Sequence, residues 1–110
     1  NGLILDRFPA PLAALSEICQ DDQRVCKRFE LYLMGSEIAN CYQELINSSE
    51  QEARFKIYQQ DKLSLYNYEL PWPTDFIQTL QRGIPASSGI ALGIERLYMA
   101  LTKDQSVFWD

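Results

Sequence analysis

Apolar residues fall in short blocks along the chain, and the spacing within each block changes from one to the next. Leu3-Ile4-Leu5 is continuous and reads as a short buried strand. Phe8-Pro9-Ala10-Pro11 reads as a stiff loop, because two prolines fix φ and remove donors. Leu12 to Cys19 reads as a short helix. Phe29 to Met34 and Glu37 to Tyr42 are largely apolar or aromatic and flank Gly35, which predicts a hairpin. At Ser48-Ser49-Glu50-Gln51-Glu52 a helix begins: Ser48 with Gln51, or Ser49 with Glu52, has capping-box spacing, and first-turn acids suit the helix dipole. This helix is expected to reach about Leu63. Leu70-Pro71-Trp72-Pro73 interrupts the pattern. Thr74 then caps a helix with Phe76, Ile77 and Leu80 on one side, and Gly83 and Pro85 end it. Ala86 to Ala91 is small and punctuated by glycine, as in a strand close to a ligand or another backbone. A last helix opens near Gly93, where Ile94, Leu97, Tyr98 and Leu101 recur at i, i+3, i+4 and i+7 and define one buried face. The mixed order of hairpin and helices predicts an α+β fold with an antiparallel sheet.

Composition narrows the chemistry. The 110 residues are 46% hydrophobic, enough for a packed core and too apolar for a disordered chain. A net charge of −5 argues against a nucleic-acid-binding module on this segment, which would carry a basic stripe. Without histidine, the usual acid–base residue and the commonest zinc ligand are missing, so chemistry has to rest on carboxylates, arginine and a hard metal. Cys19, Cys26 and Cys41 are odd in number and form no C-x-x-C pair, which reads as reduced cytoplasmic thiols. No apolar run reaches spanning length and no signal peptide opens the chain, so no membrane partner is expected.

Three groups of residues could carry chemistry. A two-residue turn at Met34-Gly35 sets Leu33 against Ser36 and Tyr32 against Glu37. Glu30 then lies diagonal to Glu37 on one sheet face, with Cβ atoms roughly 7–8 Å apart. Two carboxylates so placed suit Mg²⁺, which takes one or two carboxylates plus phosphate oxygens; on pattern alone they are equally two solvated acids. Asn40, Tyr42 and Glu44 alternate and share a face in a regular strand, where a ring and a carboxylate would suit an ammonium group. An ordinary amphipathic strand reads the same way. Glu37 is out of phase with this trio, so all four line one cavity only if a bulge or strong twist falls between Glu37 and Asn40. In Ser88-Gly89-Ile90-Ala91-Leu92-Gly93-Ile94-Glu95-Arg96-Leu97, small residues allow close approach of a flat ligand. Arg96, outside the apolar stripe, makes a positive locus for a triphosphate beside a helix N-terminus. The plain alternative is a capped helix whose Arg96 pairs with Glu95 or solvent.

Taken together, these segments resemble class II lysyl-tRNA synthetases. Arg28 to Leu45 (RFELYLMGSEIANCYQEL) matches that family's hairpin, Gln51-Glu52-Ala53-Arg54-Phe55 continues the match, and Gly89 to Leu97 looks like class II motif 3, with Glu95 where Asp is more common. The blocks occur in the family's order and cover nearly the whole chain. The resemblance implies that residues 1–110 are the C-terminal portion of a catalytic domain built on an antiparallel sheet of six or seven strands flanked by helices. It also implies that Glu30 and Glu37 bind Mg²⁺ and ATP, and that Asn40, Tyr42 and Glu44 line a lysine pocket with Glu44 meeting the side-chain ammonium. Arg96 would contact ATP as the catalytic cation, and Gly89, Ala91 and Gly93 would form the close wall of the substrate site.

Leu5-Asp6-Arg7-Phe8-Pro9-Ala10 and Ile84 to Gly93 resemble one branch in particular, the short paralogues that attach β-lysine to a lysine of elongation factor P. Ala91 stands where tRNA-charging lysine enzymes carry Gly, so its methyl is expected to disfavour α-lysine. A tRNA-charging enzyme and a non-catalytic binding module are the alternatives. Motifs 1 and 2 are absent, including the arginine expected at the α-phosphate, and the chain opens on Asn1 rather than Met. An excised segment is therefore expected, inactive alone, from a cytoplasmic parent that forms a homodimer.

Overall fold

The computed structural model describes residues 1–104. The chain divides into two compact units, one formed by Asn1–Glu44 with the stretch from Ser87 onward, the other by Leu45–Ala86.

In the first unit, β1 (Gly2–Asp6), β2 (Arg28–Leu33), β3 (Ser36–Gln43) and β4 (Ser88–Leu92) form one antiparallel sheet in the order β1-β2-β3-β4. The hairpin forms where the sequence predicts it. Met34 and Gly35 both take positive φ, 52° and 78°, the conformation a two-residue turn needs to match strand twist. Leu33 pairs with Ser36 and Tyr32 with Glu37. Beyond that the register shifts: Leu31 pairs with Ala39, so Ile38 is an extra residue, 2% exposed, opposite no partner. This is a β-bulge.

The segment before β2 is not a helix. Ala10–Leu12 forms a single 3-10 turn and the chain then runs as bridged coil. Its backbone groups bond across the fold instead of along a helix: Glu17 N–H donates to the Gln43 carbonyl at 2.9 Å, Lys27 N–H to the Glu17 carbonyl at 2.8 Å, and Cys19 N–H to the Val25 carbonyl at 3.0 Å. Ala13, Ser16 and Cys19 are all buried, and that three-residue spacing imitates a helical face. With Cys26, Ile38 and Ala39 they make the buried core of this unit. β1 is a strand, but Leu3, Ile4 and Leu5 are exposed at the edge of the sheet.

β4 leads through Gly93 into α1 (Ile94–Thr102), which packs on β3. The expected apolar stripe is present but not buried: Ile94 and Leu101 are each 72% exposed and Tyr98 is 47% exposed. Leu97, Met99 and Ala100 are the half-covered positions, so the helix is turned relative to the stripe.

The second unit is a helix pair, α2 (Ser48–Tyr66) and α3 (Thr74–Arg82). Asn47, not Ser48 or Ser49, caps α2: its side chain accepts from Glu50 N–H at 2.9 Å, which moves the box one residue upstream. The helix runs to Tyr66, three residues beyond Leu63, and Asn67 in the left-handed conformation caps it. Thr74 is the first helical residue of α3 and not its cap, since Pro73 occupies the cap position without a side-chain bond. Ile77 and Leu80 are buried, while Phe76 is 41% exposed and packs at a tilt against Phe55 with centroids 5.9 Å apart.

Candidate functional site

The bulge at Ile38 decides the site. Across an antiparallel ladder, paired residues point to the same face. Glu37 pairs with Tyr32, two residues along β2 from Glu30, and Glu30 pairs with Asn40. Arg28 pairs with Tyr42, Asn40 with Ala91, and Tyr42 with Gly89. One face therefore carries Arg28, Glu30 and Tyr32 from β2, Glu37, Asn40 and Tyr42 from β3, and Gly89 and Ala91 from β4. In a regular strand with no bulge, Glu37 would fall in phase with Ala39 and Cys41 on the opposite face.

Glu44 lies just past β3. Its N–H donates to the Ser87 carbonyl at 2.9 Å, and a Cβ built on Gly89 would lie 3.2 Å from Glu44 Oε1. Gly89 is therefore the small residue that leaves room for the Glu44 carboxylate. Gly93 is not comparably crowded: it precedes the first turn of α1, and among the described residues a Cβ there would come nearest the Arg96 side chain, at an ordinary 3.5 Å. Arg96 is exposed, and its Nη1 donates to the Glu37 carbonyl at 3.1 Å, which ties the start of α1 to the hairpin.

Glu30 is only 6% exposed, so its charge needs partners. Arg28 Nη2 donates to Oε1 at 2.6 Å and the Tyr32 hydroxyl donates to Oε2. The bond to Glu30 pushes the Tyr32 phenol above its ordinary value, reinforced by burial and by the Glu30 and Glu37 charges. Burial likewise raises the Tyr42 phenol, with the Glu44 charge adding to the effect. Both rings are thus neutral over the physiological range, and Tyr42 offers a π-face rather than a phenolate.

Arg28 and Tyr32 were not among the residues the sequence singles out. The signal was available: they stand at i−2 and i+2 from Glu30 on the same strand, and the alternation that groups Asn40, Tyr42 and Glu44 groups them as well. A cavity of about 400 Å³ also borders Arg28 and Tyr42, but Asp6, Phe29, Cys41 and Gln43 place most of its lining on the opposite face.

The sequence profile of tRNA synthetases class II (D, K and N) matches residues 3–109. The chain belongs to this family. Among curated class II relatives, the elongation factor P–(R)-β-lysine ligase of Vibrio cholerae serotype O1 is 46% identical over 98 residues, 88% of this chain and 30% of that protein. The ligase of the same name from Erwinia tasmaniensis is 41% identical over 100 residues, 91% of this chain and 31% of that protein. The chain thus spans about three tenths of the length of these relatives. A protein from Leishmania major Friedlin assigned as an aspartyl-tRNA synthetase has the same fold, with a TM-score of 0.71 at 24% identity over 90% of this chain and 18% of that one. The α+β class and antiparallel sheet expected from the sequence agree with this synthetase family. Among the described residues no helix is long and apolar enough to cross a membrane.

Proposed function

We propose that the full-length protein carrying this chain is an ATP-dependent ligase that activates a lysine-type amino acid and passes it to a lysine of elongation factor P. The observation that carries this reading is the bulge-dependent face on which two carboxylates, an amide, a neutral aromatic ring and a glycine-backed glutamate stand together. The names of the ligase relatives support the amino acid and the acceptor.

In this reading the amino-acid carboxylate attacks the α-phosphorus of ATP, the α–β anhydride bond breaks, and pyrophosphate leaves. The acceptor amine then attacks the acyl carbon of the adenylate, giving an amide and AMP. The Glu44 carboxylate and the Tyr42 ring hold the side-chain ammonium by charge and cation–π attraction. Arg96, at the start of α1, supplies positive charge toward the nucleotide, and Gly89, Ala91 and Gly93 form the near wall. Glu30 and Glu37 fit a magnesium ion, since both are hard oxygen donors on one face and two carboxylates leave positions for phosphate oxygens. When bound, the ion draws charge from the phosphates. Catalysis is then positioning and charge stabilisation, which needs no histidine. A cytoplasmic, homodimeric parent, of which residues 1–110 form the C-terminal catalytic portion with motif 3 near 89–97, belongs to the same reading.

Incubating the full-length protein with ATP, magnesium, (R)-β-lysine and elongation factor P should add one lysyl mass to the factor. Charging of lysine tRNA with no modification of the factor would overturn the acceptor assignment, and no ATP–pyrophosphate exchange with any lysine would overturn the ligase reading.

A further inference from the structure

Arg28 has no part in the roles above, yet it makes two directed contacts with the site face and a third with the neighbouring loop. Its Nε donates to Asn40 Oδ1 at 3.0 Å, Nη2 to Glu30 Oε1 at 2.6 Å, and Nη1 to the Leu12 carbonyl at 2.6 Å. The guanidinium carbon sits 4.6 Å from the centroid of the Phe8 ring. All three nitrogens and one flat face are thus engaged, and the side chain is largely covered, at 18% exposure.

We infer that Arg28 is the positioning residue of this site: it fixes the orientation of Glu30 and Asn40 together and anchors both to the loop that holds Phe8 and Leu12. Two consequences follow from the donor pattern. Because Nε binds Oδ1, the Asn40 carboxamide is held in one of its two flips and turns its NH₂ away from the guanidinium, as a donor with no partner among the described residues. Because Nη2 binds one Glu30 oxygen and Tyr32 the other, the carboxylate plane is set before any ligand arrives. A lysine at this position would keep the charge but could not span three acceptors in one plane, since an ammonium is a point donor on a flexible stem. Residues that orient ligating groups from behind commonly change affinity by roughly 10- to 100-fold when replaced.

This inference rests on the functional reading above for its ligands but not for its geometry, and the test separates the two. In the full-length protein, Arg28→Lys should weaken calorimetric binding of (R)-β-lysine and raise the magnesium concentration for half-maximal pyrophosphate exchange, each by about tenfold or more, while the melting temperature falls little. In the ligand-free protein, ¹⁵N relaxation of the Asn40 side-chain amide should show an ordered group in the wild type and a mobile one in Arg28→Lys. Unchanged Asn40 order together with an unchanged β-lysine Kd in a folded variant overturns the inference. If the wild type binds no lysine, the functional reading fails and Asn40 order alone decides. If Arg28→Lys does not fold, Phe8→Leu removes only the platform beneath the guanidinium. That variant should loosen the Asn40 amide measurably, and wild-type order in it overturns the inference.

Discussion

Replacing Gly89 by alanine should move stability and ligand binding in opposite directions. The added Cβ would lie 3.2 Å from Glu44 Oε1, closer than ordinary van der Waals contact, so one of the two must give by a few tenths of an ångström. The atom it meets is the end of a side chain and not backbone, and Gly89 does not have a positive φ, so the strand can accept the methyl. Glycine in a strand costs about 0.5–1 kcal/mol relative to alanine. Gly89→Ala should therefore leave urea stability unchanged or raise it by up to about that amount. Binding should suffer, because the displaced oxygen is the one proposed to meet the substrate ammonium. A hydrogen bond to a charged group is worth about 1.5–3 kcal/mol, and each 1.4 kcal/mol is about tenfold in Kd. Calorimetric titration of (R)-β-lysine into the full-length variant should give a Kd roughly 10- to 100-fold weaker than wild type. A wild-type Kd would refute the placement of Glu44 at the ammonium, and a stability loss above about 1 kcal/mol would show that Gly89 is kept for the fold.

Ala91→Gly in the full-length protein should shift the ratio of kcat/KM for β-lysine over α-lysine toward α-lysine by about ten- to two-hundred-fold, the range a methyl in a tight pocket allows; an unchanged ratio leaves that methyl with no part in selection. Gly35→Val should cost roughly 1–2 kcal/mol in urea unfolding, and the cost should be one of backbone alone, because φ is 78° and no described residue lies within 4 Å of the added Cβ; a loss near zero would mean that the turn relaxes. Tyr32 has its folded pKa raised by the bond to Glu30. Its contribution to stability is therefore complete below the unfolded value of about 10 and lost as pH climbs through the folded one. Melting temperatures of wild type and Tyr32→Phe should differ most near neutrality and converge above that window, and parallel curves from pH 8 to 11.5 (about the range of phenol ionisation) would contradict it. The chain of residues 1–110 alone should show no pyrophosphate exchange with ATP, magnesium and lysine, because no residue in it matches the arginine expected at the α-phosphate; exchange above background that is lost in Arg96→Ala would show that expectation wrong.

The hairpin was legible because two independent signals agree on it, the Met34-Gly35 turn and the alternation on either side. Together they set the pairs Leu33–Ser36 and Tyr32–Glu37 that the structure contains. The bulge was legible only as a condition: four residues could share a face if an extra residue intervened, but nothing in Ile38-Ala39 marks which one it is. The segment from Leu12 to Cys19 was misread because burial every third residue arises in bridged coil as well as in a helix. The hydrogen bond from Glu17 to Gln43, far away in sequence, and the one from Cys19 forward to Val25 separate the two cases, because a helix would bond backward along itself. The stripe on α1 shows a related limit. Spacing states which residues could be buried together, whereas exposure depends on what lies against them, and Ile94 and Leu101 remain open among the described residues. Arg28 stands on the same strand face as Glu30 by alternation, but spacing alone does not show that its guanidinium meets three acceptors.

The single extra residue at Ile38 also bears on which sequence changes this strand can tolerate. A substitution at Asn40 or Tyr42 alters one contact. Losing one residue between Glu37 and Asn40 would turn the bulge into a regular ladder in which the two stand two residues apart, so the pairs Tyr32–Glu37 and Glu30–Asn40 and their shared face all survive. A change that flattens the bulge without altering the residue count does the opposite: it slips the pairing by one and sends Asn40, Tyr42 and whatever follows in step with them to the other side of the sheet, with every site residue still present. Lineages with this site should therefore combine a three-residue step from Glu37 to Asn40 with a bulge, or a two-residue step with a regular ladder.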